Sequence, residues 1–119
     1  MILYILSYDI WFYFSHIMMH KIPILKYIHK HHHSTPYENM IYTDTYVGHW
    51  MESVFQSLGI FIPLLFVPDL FKLLLAGIFV NIKGMVRHDH RLVWISNHHL
   101  LHHQYPQYNY GEYWLDYLF

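Results

Sequence analysis

Cysteine is absent from this sequence, which excludes disulfide frameworks, thiolate metal sites and cysteine nucleophiles together. Charge is scarce as well. Asp, Glu, Lys and Arg make up 13% of the chain, against about 25% in an average soluble domain. With 55% hydrophobic and 20% aromatic residues, so thin a polar surface calls for a bilayer or a large partner to cover it. The net charge of -1 with neutral histidines leaves no electrostatic case for nucleic-acid binding. There are three glutamates, Glu38, Glu52 and Glu112. None opens a Glu-x-x-His pair, so the carboxylate type of di-iron bundle is excluded. No His-Glu-x-x-His motif and no nucleophile elbow is present, which removes zincin and serine hydrolase chemistry.

What the chain has in excess is histidine, 13 in 119 residues, and most of it is clustered. His16 and His20 form one group, His29, His32 and His33 a second, and His98, His99, His102 and His103 a third. An expression tag does not account for the internal run at 31–33, because the other groups need their own explanation.

The spacing places these groups on short helices. Residues 1–20 read as one helix, apolar nearly all round and interrupted by Asp9. It has neither the basic start nor the small-residue cleavage site of a signal peptide. Pro23 restarts a second helix over 24–33, which Ser34-Thr35-Pro36 ends. Residues 37–48 read as loop, 49–66 as a helix with Pro63 near its end, 69–86 as another apolar helix, and 92–103 as the helix bearing the last group. The tail is aromatic and rich in turns. Between Ser53 and Ile82 the only charges are Asp69 and Lys72. Thirty residues with a Val67-Pro68-Asp69 break fit a hairpin better than a single crossing. Its arms of roughly 22 Å fall short of a hydrocarbon core about 30 Å thick, so they are extended by flanking residues or only dip in. A hairpin also returns the early and late histidines to one side, where they can meet.

His16-x-x-x-His20 puts two imidazoles on one helix face, and His29-x-x-His32-His33 and His99-x-x-His102-His103 repeat a common i, i+3, i+4 pattern. These eight donors are too many for one ion and suit two, with room for water or dioxygen. Neutral imidazole suits iron, zinc and copper. After the hairpin, His88 is the preferred addition to the set, with His90 and His98 as competitors. His31 faces away from the other members of its group. Asp9 shares a helical stripe with Tyr13, His16 and His20. It is a candidate for the carboxylate that commonly receives the second N–H of a metal-bound histidine; the alternative is a charge facing a neighbouring helix or a water-filled gap.

The pattern resembles the fatty acid hydroxylase superfamily, which includes sterol desaturases. Asp9-x-x-x-Tyr13-x-x-His16-x-x-x-His20 is similar to its first histidine box and Ile28-His29-Lys30-x-His32-His33 to its second. His49-x-x-Glu52 is similar to its His-Pro-x-Glu. His98-His99-Leu100-Leu101-His102-His103, with Asn109-Tyr110-Gly111 and Leu115-Asp116 beyond, is similar to its third box and ending. Trp50 stands where relatives have proline, Ile17 where they have arginine, and the chain stops at Phe119 where they continue. The first box begins at residue 9, so the resemblance covers residues 1–119 as a member shortened by its first helices. It implies an all-α, integral-membrane domain with an apolar helical hairpin and short histidine-bearing helices forming a dinuclear metal site. The implied cofactor is two iron ions, with zinc replacing them in a purified preparation. The implied ligands are His16, His20, His29, His32, His33, His88, His99, His102 and His103, with Asp9 behind them. The activity implied is dioxygen-dependent hydroxylation or desaturation of a sterol or fatty acyl lipid. Electrons would come from cytochrome b5 or its reductase. The site would face the cytosol, on an endoplasmic reticulum-like membrane in a eukaryotic host. A metal-binding member that does not turn over, a histidine-rich metal transporter and a bis-histidine haem protein are the competing readings.

Overall fold

A computed structural model describes residues 1–118, without the side chain of Tyr113. All its regular elements are helical, and no strand occurs among the described residues. Helix α1 (Ile2–Lys21) is the spine. It is followed by α2 (Pro23–His29), α3 (Trp50–Ser57), α4 (Leu70–His88), α5 (His98–Gln104) and α6 (Tyr113–Leu118), with 3₁₀ segments at Tyr37–Asn39, Tyr42–Tyr46, Leu58–Leu65 and His90–Leu92.

The hairpin forms as its sequence suggests, but its first arm changes pitch. The α-helix stops at Ser57 and continues as 3₁₀ helix through Leu65. Pro63 has no N–H to offer the Gly59 carbonyl four residues earlier, and Ser7 Oγ on α1 donates to that carbonyl at 2.7 Å. One turn along α1, the Trp11 indole N–H donates to the Phe55 carbonyl at 2.7 Å. The two helices touch at Gly59, where a Cβ would lie 2.2 Å from Trp11 Cβ. At the hairpin tip the Tyr4 hydroxyl donates to Val67 O at 2.5 Å and accepts from Asp69 N at 3.2 Å. Asp69 caps α4 by accepting from Lys72 N, as an Ncap aspartate does. Between α1 and the hairpin lies the apolar core of Tyr4, Tyr8, Phe12, Ile60, Ala76 and Val80.

The outer faces of this half stay apolar. Leu3, Leu6, Ile10 and Phe14 on α1, and Leu65, Phe66, Leu70 and Phe71 at the hairpin tip, are exposed. Among the described residues, Ile2–Lys21 is the one helix long and apolar enough to cross a membrane, and Trp50–Leu65 is a shorter apolar one.

The other half is less regular than its sequence spacing predicts. The helix expected over 24–33 ends at His29. His32, His33 and Ser34 donate three residues back rather than four, which winds residues 30–33 into tight turns. The helix expected over 92–103 begins only at His98. Before it, Asp89 accepts from the backbone of Arg91 and of Tyr42, holding a separate turn at His90–Leu92. The loop expected over 37–48 contains two short 3₁₀ segments instead.

Candidate metal centre

Four separate stretches deliver histidines to one place. His16 and His20 come from the last two turns of α1. His29 is the last residue of α2, with His32 and His33 in the turns beyond it. His88 is the last residue of α4, and His99, His102 and His103 lie along α5. They divide into two groups, His16 with His20, His29, His33 and His102, and His32 with His88, His99 and His103. Within each group, one ring nitrogen per residue lies within 4.8 Å of all the others. His16, His29, His32, His88, His99 and His102 are buried.

The far side of each ring fixes what the near side offers. His16 Nδ1–H donates to Tyr110 O at 2.6 Å, His29 Nδ1–H to Glu52 Oε1 at 2.7 Å and His102 Nδ1–H to Tyr108 O at 2.7 Å. In the second group His32 Nδ1–H donates to Val47 O at 2.8 Å and His88 Nδ1–H to Gly84 O at 2.7 Å. A neutral imidazole carries one proton, so the Nε2 atoms of these five rings are bare acceptors. They nevertheless face one another: His16 and His29 at 3.2 Å, His32 and His88 at 3.1 Å. No hydrogen lies between two such lone pairs. Protonation does not supply one, because burial holds His29 down to about 4 and His102 to about 3, and lowers His32, His33, His99 and His103 as well. A cation between the rings removes the repulsion. The separations fit one, since neighbouring ligands at right angles around an ion about 2.1 Å away are about 3.0 Å apart. The donor set therefore fits a divalent transition metal in each group.

The backbone that orients these rings is itself held. Asp116 accepts from Tyr110 N at 2.8 Å, Gly111 N at 2.9 Å and His98 Nε2 at 2.8 Å. That clamp presents the Tyr110 carbonyl to His16. Asn109 takes φ 59° to make the bend, a conformation asparagine tolerates. A Cβ on Gly111 would lie 2.6 Å from Tyr13, so the tail packs directly on α1. The Asn109-Tyr110-Gly111 and Asp116 pattern thus has a physical role in the site.

The profile of one protein family, fatty acid hydroxylase, matches residues 1–119. The chain belongs to that family. No curated protein and no solved structure matches it. Members of the family are membrane-associated, and membership implies metal-dependent, oxygen-using chemistry of the hydroxylase or desaturase type on a lipid.

Within this hydroxylase-family chain, Asp9 is a correction. It is buried, but its carboxylate accepts from Lys83 Nζ at 2.7 Å. Lys83 lies 3.3 Å from Glu112, which also accepts from Arg87 at 2.5 Å. Seven residues before His16, Asp9 shares its helical face but sits roughly 10 Å farther along the axis, level with Lys83 of α4. The carboxylate that does bond a clustered histidine is Glu52, on His29. Its position in His49-x-x-Glu52 was visible in the sequence, but its partner lies 23 residues away. The remaining histidines have other tasks. His49 caps α3 by accepting from Met51 N, His90 donates to Met40 O, His98 bonds Asp116, and His31 is exposed.

Proposed function

We propose that this chain is a membrane-embedded oxidoreductase that uses two iron ions and dioxygen to hydroxylate or desaturate a lipid, either a sterol or a fatty acyl chain. The observation that carries the reading is the pair of facing imidazole groups with bare Nε2 atoms, set at the end of an apolar groove. His16, His20, His29, His33 and His102 would hold one ion, and His32, His88, His99 and His103 the other. When bound, iron supplies the activation of dioxygen, with two electrons from a carrier such as cytochrome b5 or its reductase and two protons completing the balance as water.

The protein's own part is positioning and exclusion. The carbonyls of Tyr108, Tyr110, Val47 and Gly84 and the Glu52 carboxylate fix each ring they touch in one tautomer. His32, His88 and His99 of the second group, with His16 of the first, line a small pocket of about 170 Å³, so the second group supplies most of the rings on the substrate side. Phe12 and Val80 border the pocket and limit water there. The exposed apolar faces of α1 and the hairpin support a seat in the bilayer, with the histidine half at its surface. A cytosolic face, on an endoplasmic reticulum-like membrane in a eukaryotic host, suits the electron donor.

Metal analysis of protein purified in detergent tests the first half of this reading, with about two iron or zinc ions per chain expected from the two donor groups. Incubating iron-loaded protein with sterol and acyl lipids, a reductase system and ¹⁸O₂ tests the second. Labelled alcohol or new alkene is the expected product. Full iron loading without product would assign the chain to metal binding alone, and a preparation that binds no metal would overturn the whole reading.

A further inference from the structure

A cavity of about 800 Å³ runs between α4 and the first arm of the hairpin, within the usual size range of ligand sites. Its lining is apolar, with Ile60, Phe61, Leu70, Leu74 and Ile78 among the residues. From Leu70 to Asn81 it follows α4 for roughly 16 Å. It meets the small pocket at the second histidine group, and Tyr8, Ser57, Val80 and Asn81 line both. The two spaces form one path, apolar along its length and polar at the histidine end.

Most polar groups at that end are already committed. Asn81 donates to Gly77 O and accepts from Tyr46, Ser57 donates to Ser53 O, and Thr45 bonds Gly84 O and His88. Arg87, whose guanidinium also interacts with the Tyr8 hydroxyl, keeps one donor uncommitted. Its side chain lines the small pocket, is 7% exposed, and lies 4.4 Å over the Phe12 ring. Its Nε–H has no hydrogen-bond partner among the described residues. A buried, unpartnered donor is costly, and here it borders a cavity that can hold an acceptor. The charge balance narrows what that acceptor is. Arg87 and Lys83 are already matched by Glu112 and Asp9, so the network is neutral. An anion would leave one buried negative charge in excess, whereas an uncharged oxygen needs only the single hydrogen bond Nε–H can give.

We infer that the path binds an uncharged, single-chain lipid with its polar end foremost: a carbonyl or hydroxyl oxygen accepts from Arg87, and the chain lies back along α4 past Gly77. The inference rests on the lipid-oxidising reading above and adds an orientation, in which the carbons next to the polar group lie nearest the second histidine group. Gly77 sets how much chain fits. A Cβ added there meets nothing within 4 Å, so a larger side chain would enter the groove without disturbing the packing. Because glycine weakens a helix interior, such a change also leaves folding intact.

The test is binding, read without turnover. Full-length protein in nanodiscs is photolabelled with N-(2-hydroxyethyl)hexadecanamide carrying a diazirine at carbon 3 or at carbon 15, and the labelled peptides are mapped. Carbon 3 should mark Phe12, Thr45 or Ser57, and carbon 15 should mark Leu70 or Leu74. The reverse pattern, or label spread over the outer face of α1, would overturn the inference. Gly77→Leu should weaken the hexadecanamide about tenfold or more by excluding methylenes, while an octanamide analogue and the metal content stay unchanged; equal affinity for both lengths would contradict the assignment of the groove. Arg87→Lys keeps the charge opposite Glu112 but removes Nε. It should weaken the amide about tenfold and leave hexadecane labelling as it was; equal loss for both ligands would remove Arg87 from the proposal. Correct labelling without any oxidised product would sink the enzymatic reading and spare this one, and turnover with reversed labelling would do the opposite.

Discussion

The apolar and histidine halves of this molecule are held together by different means. In the apolar half, α1 and the hairpin bury Tyr4, Tyr8, Phe12, Ile60 and Val80 against one another, and Ser7, Trp11 and Tyr4 tie the backbones together. Nothing there needs a ligand to be stable. The histidine half is built from one- and two-turn helices and short 3₁₀ segments, lengths that are marginal alone. Its interior is a set of imidazoles whose acceptor atoms face one another. One half is closed by its own packing, and the other gathers two groups of donors that a cation would join.

Removing metal should therefore give the largest effect, and it should be confined to one half. Binding energy in such a site is also folding energy. At a thousandfold excess over Kd a single site contributes about 4 kcal/mol. In hydrogen-exchange measurements, stripping with chelator should deprotect residues 23–49 and 90–118, while the α1 N-terminal half and α4 remain slow. Uniform loss of protection would erase the distinction between the halves. The metal-free protein should also be acid-sensitive. His29 and His102 are lowered to about 4 and about 3 from an unfolded value near 6.5. Between those limits the unfolded chain binds more protons than the folded one, so stability is full above about pH 7 and falls as the pH drops from 6.5 towards 4. A flat profile over that window would mean that these rings are solvated in the metal-free state.

The next effect divides the histidine half itself. His88→Ala should cost about one ion per chain from the second group and spare the first, and His102→Ala should do the converse. Loss of both ions from either variant would mean that the two groups share ligands, which their separation into two sets argues against.

The same contrast explains what was legible in the sequence. The hairpin was, because a run of thirty nearly uncharged residues with one Pro-Asp break has few ways to fold. Its change to 3₁₀ pitch was not, because that depends on Ser7 and Trp11 reaching across from α1. The i, i+3 and i+4 spacings marked the histidines, but helical periodicity overextended the segments carrying them: His32 and His33 sit in turns, and 93–97 is not helical. Asp9 was assigned by its face on α1, and a face says nothing of level along the axis. Glu52 and Arg87 take their roles from contacts across the chain, 23 and 25 residues away in sequence.

The Glu52 and Asp9 carboxylates offer a sharper test than the histidines. Glu52→Gln replaces the acceptor behind His29, and partners of this kind are typically worth about 10–100-fold in metal affinity. Asp9→Asn loosens the Lys83 pair but touches no ring, so metal affinity should hold while thermal stability drops. Competition with a chromogenic chelator measures both. An Asp9 effect as large as that of Glu52 would reinstate Asp9 as a support of the centre.

The smallest effect lies in the apolar half and isolates one hydrogen bond. Ser7→Ala removes the donor to Gly59 O and should destabilise by about 1 kcal/mol, with no change in metal content. The bond matters because Pro63 cannot serve that carbonyl. Replacing the proline by alanine restores an N–H four residues on, so in a Pro63→Ala background the loss of Ser7 Oγ should cost less. The difference between the two costs is the coupling between Ser7 and Pro63, measured by denaturant titration in one detergent. An equal cost in both backgrounds would show that Ser7 acts through packing on Gly59, and that the proline ends the α-helix without any help from α1.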